Sequence, residues 1–502
     1  MSTSYSSYTR DRIGWFFGLS GLQLGFLALS VLPVFWSISR GAWASAMLLA
    51  LVWVGAAVVT AVPVRGRSAI GWIIASIRYA AGGLSCWTSF RSAAARGRVK
   101  DLNSPDLPGV LQAIDVHEGP PHGADMTRVA IVQNHATRTW AVTAAVVHPG
   151  VGMMDAQTRH VQGQALSSLL DVAARTEKID ELLIVVRTVP EDGAERDLWV
   201  AGHRRPDAPV LAEQINADLA RGLSRASVRT EMFVTLVVPE SRIARSARES
   251  GGGLEGRCRE LHLLMGEVGA HLMGPLGMTS VRWLTSPELA VTCRTGFAPG
   301  DRAGIIDALA ARAVHTEVNA DVPWAMAGPS GADTTVRHYS HDAWNSISST
   351  IKLPTRGAVM GALAPVLTPS EAGERRSFLV AYPLVSPTKA DRQSGNAEWA
   401  ADLAEGMNEK IGRKTRAAQR DAQTATRGFD AKLARGSAMT RPYAVVTVTV
   451  AKTARIAEYG RRLDSDVRRA GFAPLRLDLA QDVGFAASTV PMGISLTRRG
   501  GV

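Results

Sequence analysis

Cysteine is nearly absent from this chain: its 502 residues contain three, Cys86, Cys258 and Cys293. They lie far apart, with no Cys-x-x-Cys pair, so no recognisable zinc or redox framework is present and a reducing compartment suits them. The usual nucleotide signatures are missing as well. No GxxxxGK[ST] occurs, so there is no P-loop to cradle phosphates. The one glycine-rich stretch, Gly251 to Arg257, lacks the lysine and follows Arg-Glu-Ser rather than an apolar strand. It reads as a loop ahead of a helix. HExxH and GxSxG are absent too, and the glycines at 251, 253 and 256, though spaced GxGxxG, follow no apolar strand as a dinucleotide fingerprint requires.

Charge is missing from one long stretch. Between Ile13 and Val64 the only charged residue is Arg40, flanked by uncharged runs of 27 and 24 residues. A helix needs about 20 apolar residues to cross a bilayer core, so the runs predict a transmembrane hairpin turning at Ser37 to Gly41. Arg10 and Arg12 precede it. Arg65, Arg67, Arg78, Arg91, Arg96, Arg98 and Lys100 follow, with no acid until Asp101. A Lys/Arg excess beside a span marks the cytoplasmic side. The expectation is a multi-pass protein of the inner (plasma) membrane, with both termini and the main body cytoplasmic. Trp15 would sit at the inner boundary, and Trp36 and Trp43 would bracket the outer turn. A cleaved signal peptide fits less well, because a second apolar stretch follows the first at once.

The net charge of +11 belongs to this region. Residues 1–100 hold ten Lys/Arg and one Asp, leaving 46 basic and 44 acidic residues, only +2, for the rest. The seven basic residues after the hairpin therefore read as contacts to anionic lipid, and direct nucleic-acid binding is not expected.

Four regions are expected: an N-terminal tail and hairpin (1–64), a basic interfacial helix and linker (65–109), and two α+β subdomains (110–295 and 296–502). The second holds a long charged helix (390–435) and a closing βαβ (444–480). The fold class is thus a membrane-anchored α+β protein, with a two-helix hairpin before a mixed body containing ferredoxin-like βαβ units. In the closing unit Val446, Val448 and Val450 alternate with Thr447 and Thr449, the period of a strand. A helix carrying Ile456, Tyr459, Leu463 and Val467 follows, ending at Gly471 before a strand with Leu475, Leu477 and Leu479.

Two clusters invite chemistry. His338, His341 and Asp342 could ligate a metal if helical. The segment Thr335 to Asp342 alternates like a strand, however, which puts the two imidazoles on opposite faces. Lys410, Arg413, Lys414, Arg416 and Arg420 form a basic run, but ten bases meet seven acids between Lys389 and Arg435. That is the pattern of a solvated helix face, with contact to nucleic acid or an acidic partner as the alternative.

The segments His338-Tyr339-Ser340-His341-Asp342 with Trp344, Gly361 to Leu367, Ser377 to Pro383 and Gln481 to Gly493 carry a resemblance. The chain resembles a family of actinobacterial membrane proteins encoded on conjugative elements, beside PrgI-like proteins and type IV secretion ATPases. It looks like the part of a conjugation ATPase that precedes its motor domain, fused to a two-span membrane subunit. Only nine residues follow Gly493, so no motor is expected here.

The resemblance implies a non-catalytic inner-membrane scaffold or adaptor of a type IV-like conjugation or secretion apparatus. Its body would dock a separate ATPase and other secretion subunits, self-assembly would be possible, and neither catalytic residues, metal nor cofactor would be expected. The alternatives are a type VII secretion membrane component and a membrane-bound enzyme using His338, His341 and Asp342.

Overall fold

The first long uncharged run does not form one helix. It breaks at Val31 into α1 (Gly21–Ser30) and α2 (Leu32–Ser39), with Pro33 in the first turn of α2. Proline offers no N–H to the preceding turn and its ring clashes with the carbonyl four residues back, so a continuous helix stops there. Helices of ten and eight residues rise about 15 and 12 Å, against roughly 30 Å of hydrocarbon. The second run is helical as α3 (Trp43–Ala61), and α4 (Ala69–Leu84) follows. No helix among the described residues is long and apolar enough to cross a membrane. This corrects the expected transmembrane hairpin, the membrane-anchored fold class and the multi-pass membrane localisation.

Within the helical unit, Gly41 turns the chain at φ +72°. The Trp53 Nε1–H donates to the Leu27 carbonyl at 3.1 Å, and the Ser37 and Ser45 hydroxyls meet at 2.7 Å. The Arg40 guanidinium lies over the Trp36 ring at 4.0 Å. Large apolar side chains, among them Phe35, Met47 and Leu51, are exposed on these helices.

This computed structural model describes residues 4–5, 21–61, 69–84, 88–123, 125–150, 154–205, 207–226, 228–352, 358–359, 361–371, 373–386 and 437–497. Tyr8–Trp87 form one unit, and Met1–Ser7 with Thr88–Val502 form the other. Of the expected hairpin, residues 13–20 and 62–64 lie outside the described residues.

In the larger unit a short ribbon pairs β1 (Ser4–Tyr5) with β12 (Ala358–Val359). After β2 (Ser89–Arg91), the first half of the main sheet begins with the hairpin β3 (Ile114–His122) and β4 (Thr127–Asn134). It continues through β5 (Thr139–Val147), α5 (Ala156–Arg175), β6 (Glu181–Pro190), α6 (Ala194–His203) and α7 (Val210–Ala226). Then come β7 (Val228–Pro239), α8 (Glu240–Glu249), α9 (Gly253–Met273), β8 (Ser280–Trp283) and α10 (Ser286–Phe297).

Helices α11 (Arg302–Val314) and α12 (Trp324–Ala327) lead to the second half. It runs through the hairpin β9 (Gly331–Thr334) and β10 (Tyr339–His341), then β11 (Trp344–Lys352), α13 (Ala364–Leu367) and β13 (Arg375–Val385). Beyond β14 (Met439–Thr440) it ends with β15 (Tyr443–Ala451), α14 (Ile456–Arg469), β16 (Ala473–Arg476) and α15 (Gln481–Thr489).

Among the described residues, fourteen strands join in one antiparallel sheet. The path is β2-β9-β10-β11-β15-β13-β6-β7-β5-β4-β3, with β8 on β5, β16 on β11 and β14 on β13. One plan is used twice. The orders β8-β5-β7-β6 and β16-β11-β15-β13 are each the 4-1-3-2 arrangement of a β-α-β-β-α-β unit. The halves meet where β6 pairs β13, from Arg376↔Thr188 to Pro383↔Glu181.

Strand alternation decides what each face receives. In β15, Val446, Val448 and Val450 enter a core with Leu463 and Val467 of α14, while Val445 enters a different core on the opposite face. The first face carries two cores, one beneath α5 and α9 and one beneath α13 and α14. The second carries one core shared by both halves. Leu289 and Phe297 of α10, Phe485 of α15, Leu107, Val490 and Met492 all contribute to it.

Candidate functional site

The three residues that sequence pattern singled out do not converge. His338 Nδ1 meets the Thr335 hydroxyl at 2.9 Å. Asp342 turns the β10–β11 hairpin at φ +43°, a strained value for a residue with a side chain. Its carboxylate accepts from the Ser330 N–H at 2.7 Å and from Arg294 at 3.2 Å, which holds that turn. No group of three potential metal ligands occurs among the described residues.

His341 belongs to a buried polar chain. Its Nδ1 lies 2.8 Å from the Phe297 carbonyl and its Nε2 lies 2.8 Å from the Ser346 Oγ. A carbonyl only accepts, so the proton is on Nδ1 and the Ser346 hydroxyl donates to Nε2. Thr449, 2.7 Å from Ser346, donates in turn. Phe485 packs at 4.4 Å between ring centroids. Burial pushes His341 down to about 3, because the imidazolium is poorly solvated there. A hydroxyl aimed at a neutral imidazole is the arrangement of an activated nucleophile. Yet His341, Ser346 and Ser348 are all fully buried, and no substrate reaches them in this conformation.

A second chain runs alongside. The Ser348 and Thr447 hydroxyls lie 2.7 Å apart, Thr447 and Ser488 lie 2.6 Å apart, and Ser488 donates to the Gly484 carbonyl at 2.8 Å. Gln481 accepts from the Ser348 N–H at 2.7 Å. These bonds fasten α15 to the sheet. They satisfy hydroxyls whose burial would otherwise be costly.

Two arginines organise the junction between the halves. Arg187 on β6 meets the Glu231 carboxylate at 2.6 and 3.0 Å. It also donates to the Thr292 carbonyl of α10 at 3.0 Å and the Thr489 carbonyl of α15 at 3.2 Å. Thr489 closes α15, and a guanidinium at a helix C-terminus is favoured because carbonyls there lack intrahelical partners. On the other face Arg376, fully buried, meets Glu374 at 2.8 Å and Asp466 at 2.7 Å. Its other donors go to Ser370 Oγ and the Pro365 and Val366 carbonyls.

The open polar and apolar features lie elsewhere. A cavity of about 140 Å³ at the β4–β5 turn is lined by Gln133, Asn134, Arg138, Trp140 and Glu240. It is small for a ligand site. The helices α6 and α7 fill the connection from β6 to β7, and none of the side chains of α6 is buried. On α7, Leu211, Ile215 and Leu219 are 66%, 51% and 53% exposed. Spaced four apart, they form one apolar stripe along the helix. Leu198 and Trp199 of α6 are exposed as well.

Of the basic residues read as surface contacts, Arg78, Arg91, Arg96, Arg98 and Lys100 are exposed, and Arg91 pairs with Asp333 at 3.3 Å. Arg65, Arg67, Lys410, Arg413, Lys414, Arg416 and Arg420 lie outside the described residues. The run Lys410 to Arg420 falls between β13 and β15, the same connection in the second half that α6 and α7 occupy in the first.

No protein-family model matches the chain, and no curated protein matches it. The roles of Arg187, Arg376, Ser346 and the α7 stripe are not legible in the sequence pattern. A cation inside an otherwise apolar strand, as in Leu-Leu-Ile-Val-Val-Arg-Thr at 182–188, was the signal available.

Proposed function

We propose that this chain is a non-catalytic scaffold or adaptor of a type IV-like conjugation or secretion apparatus, and that it docks a separate ATPase. The observation that carries the reading is the contrast between a sealed interior and an open apolar surface. The Ser346–His341 pair has catalytic form but is fully buried, whereas α6 exposes Leu198 and Trp199 and α7 exposes Leu211, Ile215 and Leu219. An amphipathic helix with its apolar face outward is a surface for protein contact. The ATPase is named as the occupant on the resemblance carried by His338 to Asp342, Gly361 to Leu367, Ser377 to Pro383 and Gln481 to Gly493.

The test is affinity capture of the tagged full chain from its native host, followed by mass spectrometry, beside the variant L211E/I215E/L219E. Recovery of a secretion-type ATPase with the wild type, and its loss with a folded variant, supports the reading. Capture of no ATPase, or equal capture by both proteins, sinks it.

A further inference from the structure

Two neighbouring arginines at the head of β13 meet opposite fates. Arg376 faces one side of the sheet with its donors engaged by Glu374, Asp466, Ser370 and two carbonyls. Arg375 faces the other side, opposite Thr449 on β15. Its guanidinium lies 4.8 Å from the centre of the Trp344 ring, and its Nε is buried without a hydrogen-bond partner. The acids whose charge is felt there are Glu231 and Asp192. Both are already engaged. Glu231 holds Arg187 and Arg229, and Asp192 accepts two contacts from Arg302 at 2.8 and 2.9 Å.

A second orphan lies beside Arg187. The Thr489 Oγ1 is buried without a partner, while the carbonyl of that residue accepts from Arg187. A guanidinium drawn out of water needs an opposite charge or acceptors in its plane. Here the guanidinium lies over the ring of Trp344, and no carboxylate of the described residues pairs with it.

We propose that Arg375, held against Trp344, is the anchor of an oxyanion-binding site that takes a phosphate or a carboxylate group. The planar fork of the guanidinium accepts either anion through two parallel N–H···O bonds. Arg187 adds positive potential on the same face, and the Thr489 hydroxyl supplies a further donor. Burial and the neighbouring Arg187 charge hold Arg375 below the usual arginine range. An arriving anion relieves both. This site is independent of the docking reading, since it lies on the sheet rather than on α7.

The experiment is calorimetric titration of the full chain with sodium phosphate and, separately, sodium acetate, against sodium chloride at matched ionic strength. Wild type, R375Q, R375K and the exposed-arginine control R245Q are compared. Saturable binding is expected in wild type and R245Q, at least tenfold weaker in R375Q. In R375K it should be intermediate, because lysine keeps the charge and loses the fork. Response to phosphate alone identifies a phosphate-bearing ligand, and response to acetate as well identifies a carboxylate. Equal affinity in R375Q and wild type, or no saturable response beyond chloride in wild type, overturns the proposal. Should R375Q not fold, R375K against R245Q decides: undiminished affinity in R375K overturns it equally.

Discussion

The two halves of the sheet share a backbone plan but fill it with different chemistry. Strand register makes the comparison position by position. Thr143 opposite Thr235 in the first half corresponds to Ser348 opposite Thr447 in the second, and both are hydroxyl pairs, at 2.9 and 2.7 Å. Two residues along, Ala141 opposite Val237 becomes Ser346 opposite Thr449. On the reverse face Leu182, opposite Leu236, becomes Arg376, opposite Val448. Leu182 and Arg376 are both fully buried. The strand order therefore tolerates either an apolar or a polar interior, provided each buried donor finds its acceptor. The polar version gathers in the second half, and with it His341 and Arg375.

The sharpest way to break that comparison is at the Leu182 and Arg376 positions. R376M leaves Glu374 and Asp466 as buried carboxylates without their cation, which costs about 3–5 kcal/mol. Leu182→Ala removes apolar contacts and leaves a cavity, a loss of about 2–5 kcal/mol. Urea unfolding of both variants measures the difference. An R376M protein as stable as wild type would mean the network contributes nothing, and the two interiors would be equivalent.

Acid should act on both halves, through one histidine in each. Burial holds His341 at about 3. In the first half, burial and the neighbouring His122 hold His262 at about 4. Both lie below the unfolded value near 6.5. The unfolded chain therefore binds protons first. The stability contributed by the neutral imidazoles is full above pH 6.5 and is lost as pH falls from there toward the folded values. Each group contributes a slope of about 1.4 kcal/mol per pH unit, so about 2 kcal/mol between pH 6.5 and 5. Unfolding free energies of wild type, H341Q and H262Q across that window give the slopes. Removal of either histidine should flatten the curve by one proton. An unchanged slope in H341Q would show that its imidazole is protonated in the folded chain.

Smaller effects are expected from the hydroxyl pairs that the halves share. Thr447→Val strands the Ser348 hydroxyl, and Thr143→Val strands Thr235 and the Pro491 carbonyl. Each should cost about 1–2 kcal/mol by unfolding, the usual range for a buried group left unsatisfied. A cost confined to one half would show that the shared pair is structural in that half alone.

How much of this was legible in the sequence follows from how local each signal is. The alternation at 444–450 is a strand property, and β15 occupies Tyr443–Ala451. Gly471, at φ +88°, falls just beyond α14, where a helix terminator belongs. Uncharged length, in contrast, misled. Composition alone makes Ile13 to Ser39 one span and is blind to the helix break before Pro33. The union of the halves through β6 and β13 left no local trace, because the register couples residues almost 200 positions apart. His341 was legible as a candidate but not its role. The seal over it comes from Phe485 and the Phe297 carbonyl, which lie far from it in sequence.

The smallest expected effect on stability is also the most informative about surface. Helix α9 buries Leu261, Leu264, Met265, Val268 and Leu272 against the sheet, while α7 exposes Leu211, Ile215 and Leu219 at the same helical spacing. The residue types match, so the difference lies only in what covers them. Leu261→Glu should unfold the larger unit, since an unpaired carboxylate cannot remain in that core. Ile215→Glu should change unfolding free energy by less than about 0.5 kcal/mol, the range for an exposed position. A loss well beyond that would mean the stripe is covered within the chain itself. The docking reading would then have lost its surface, whatever co-purifies with the protein.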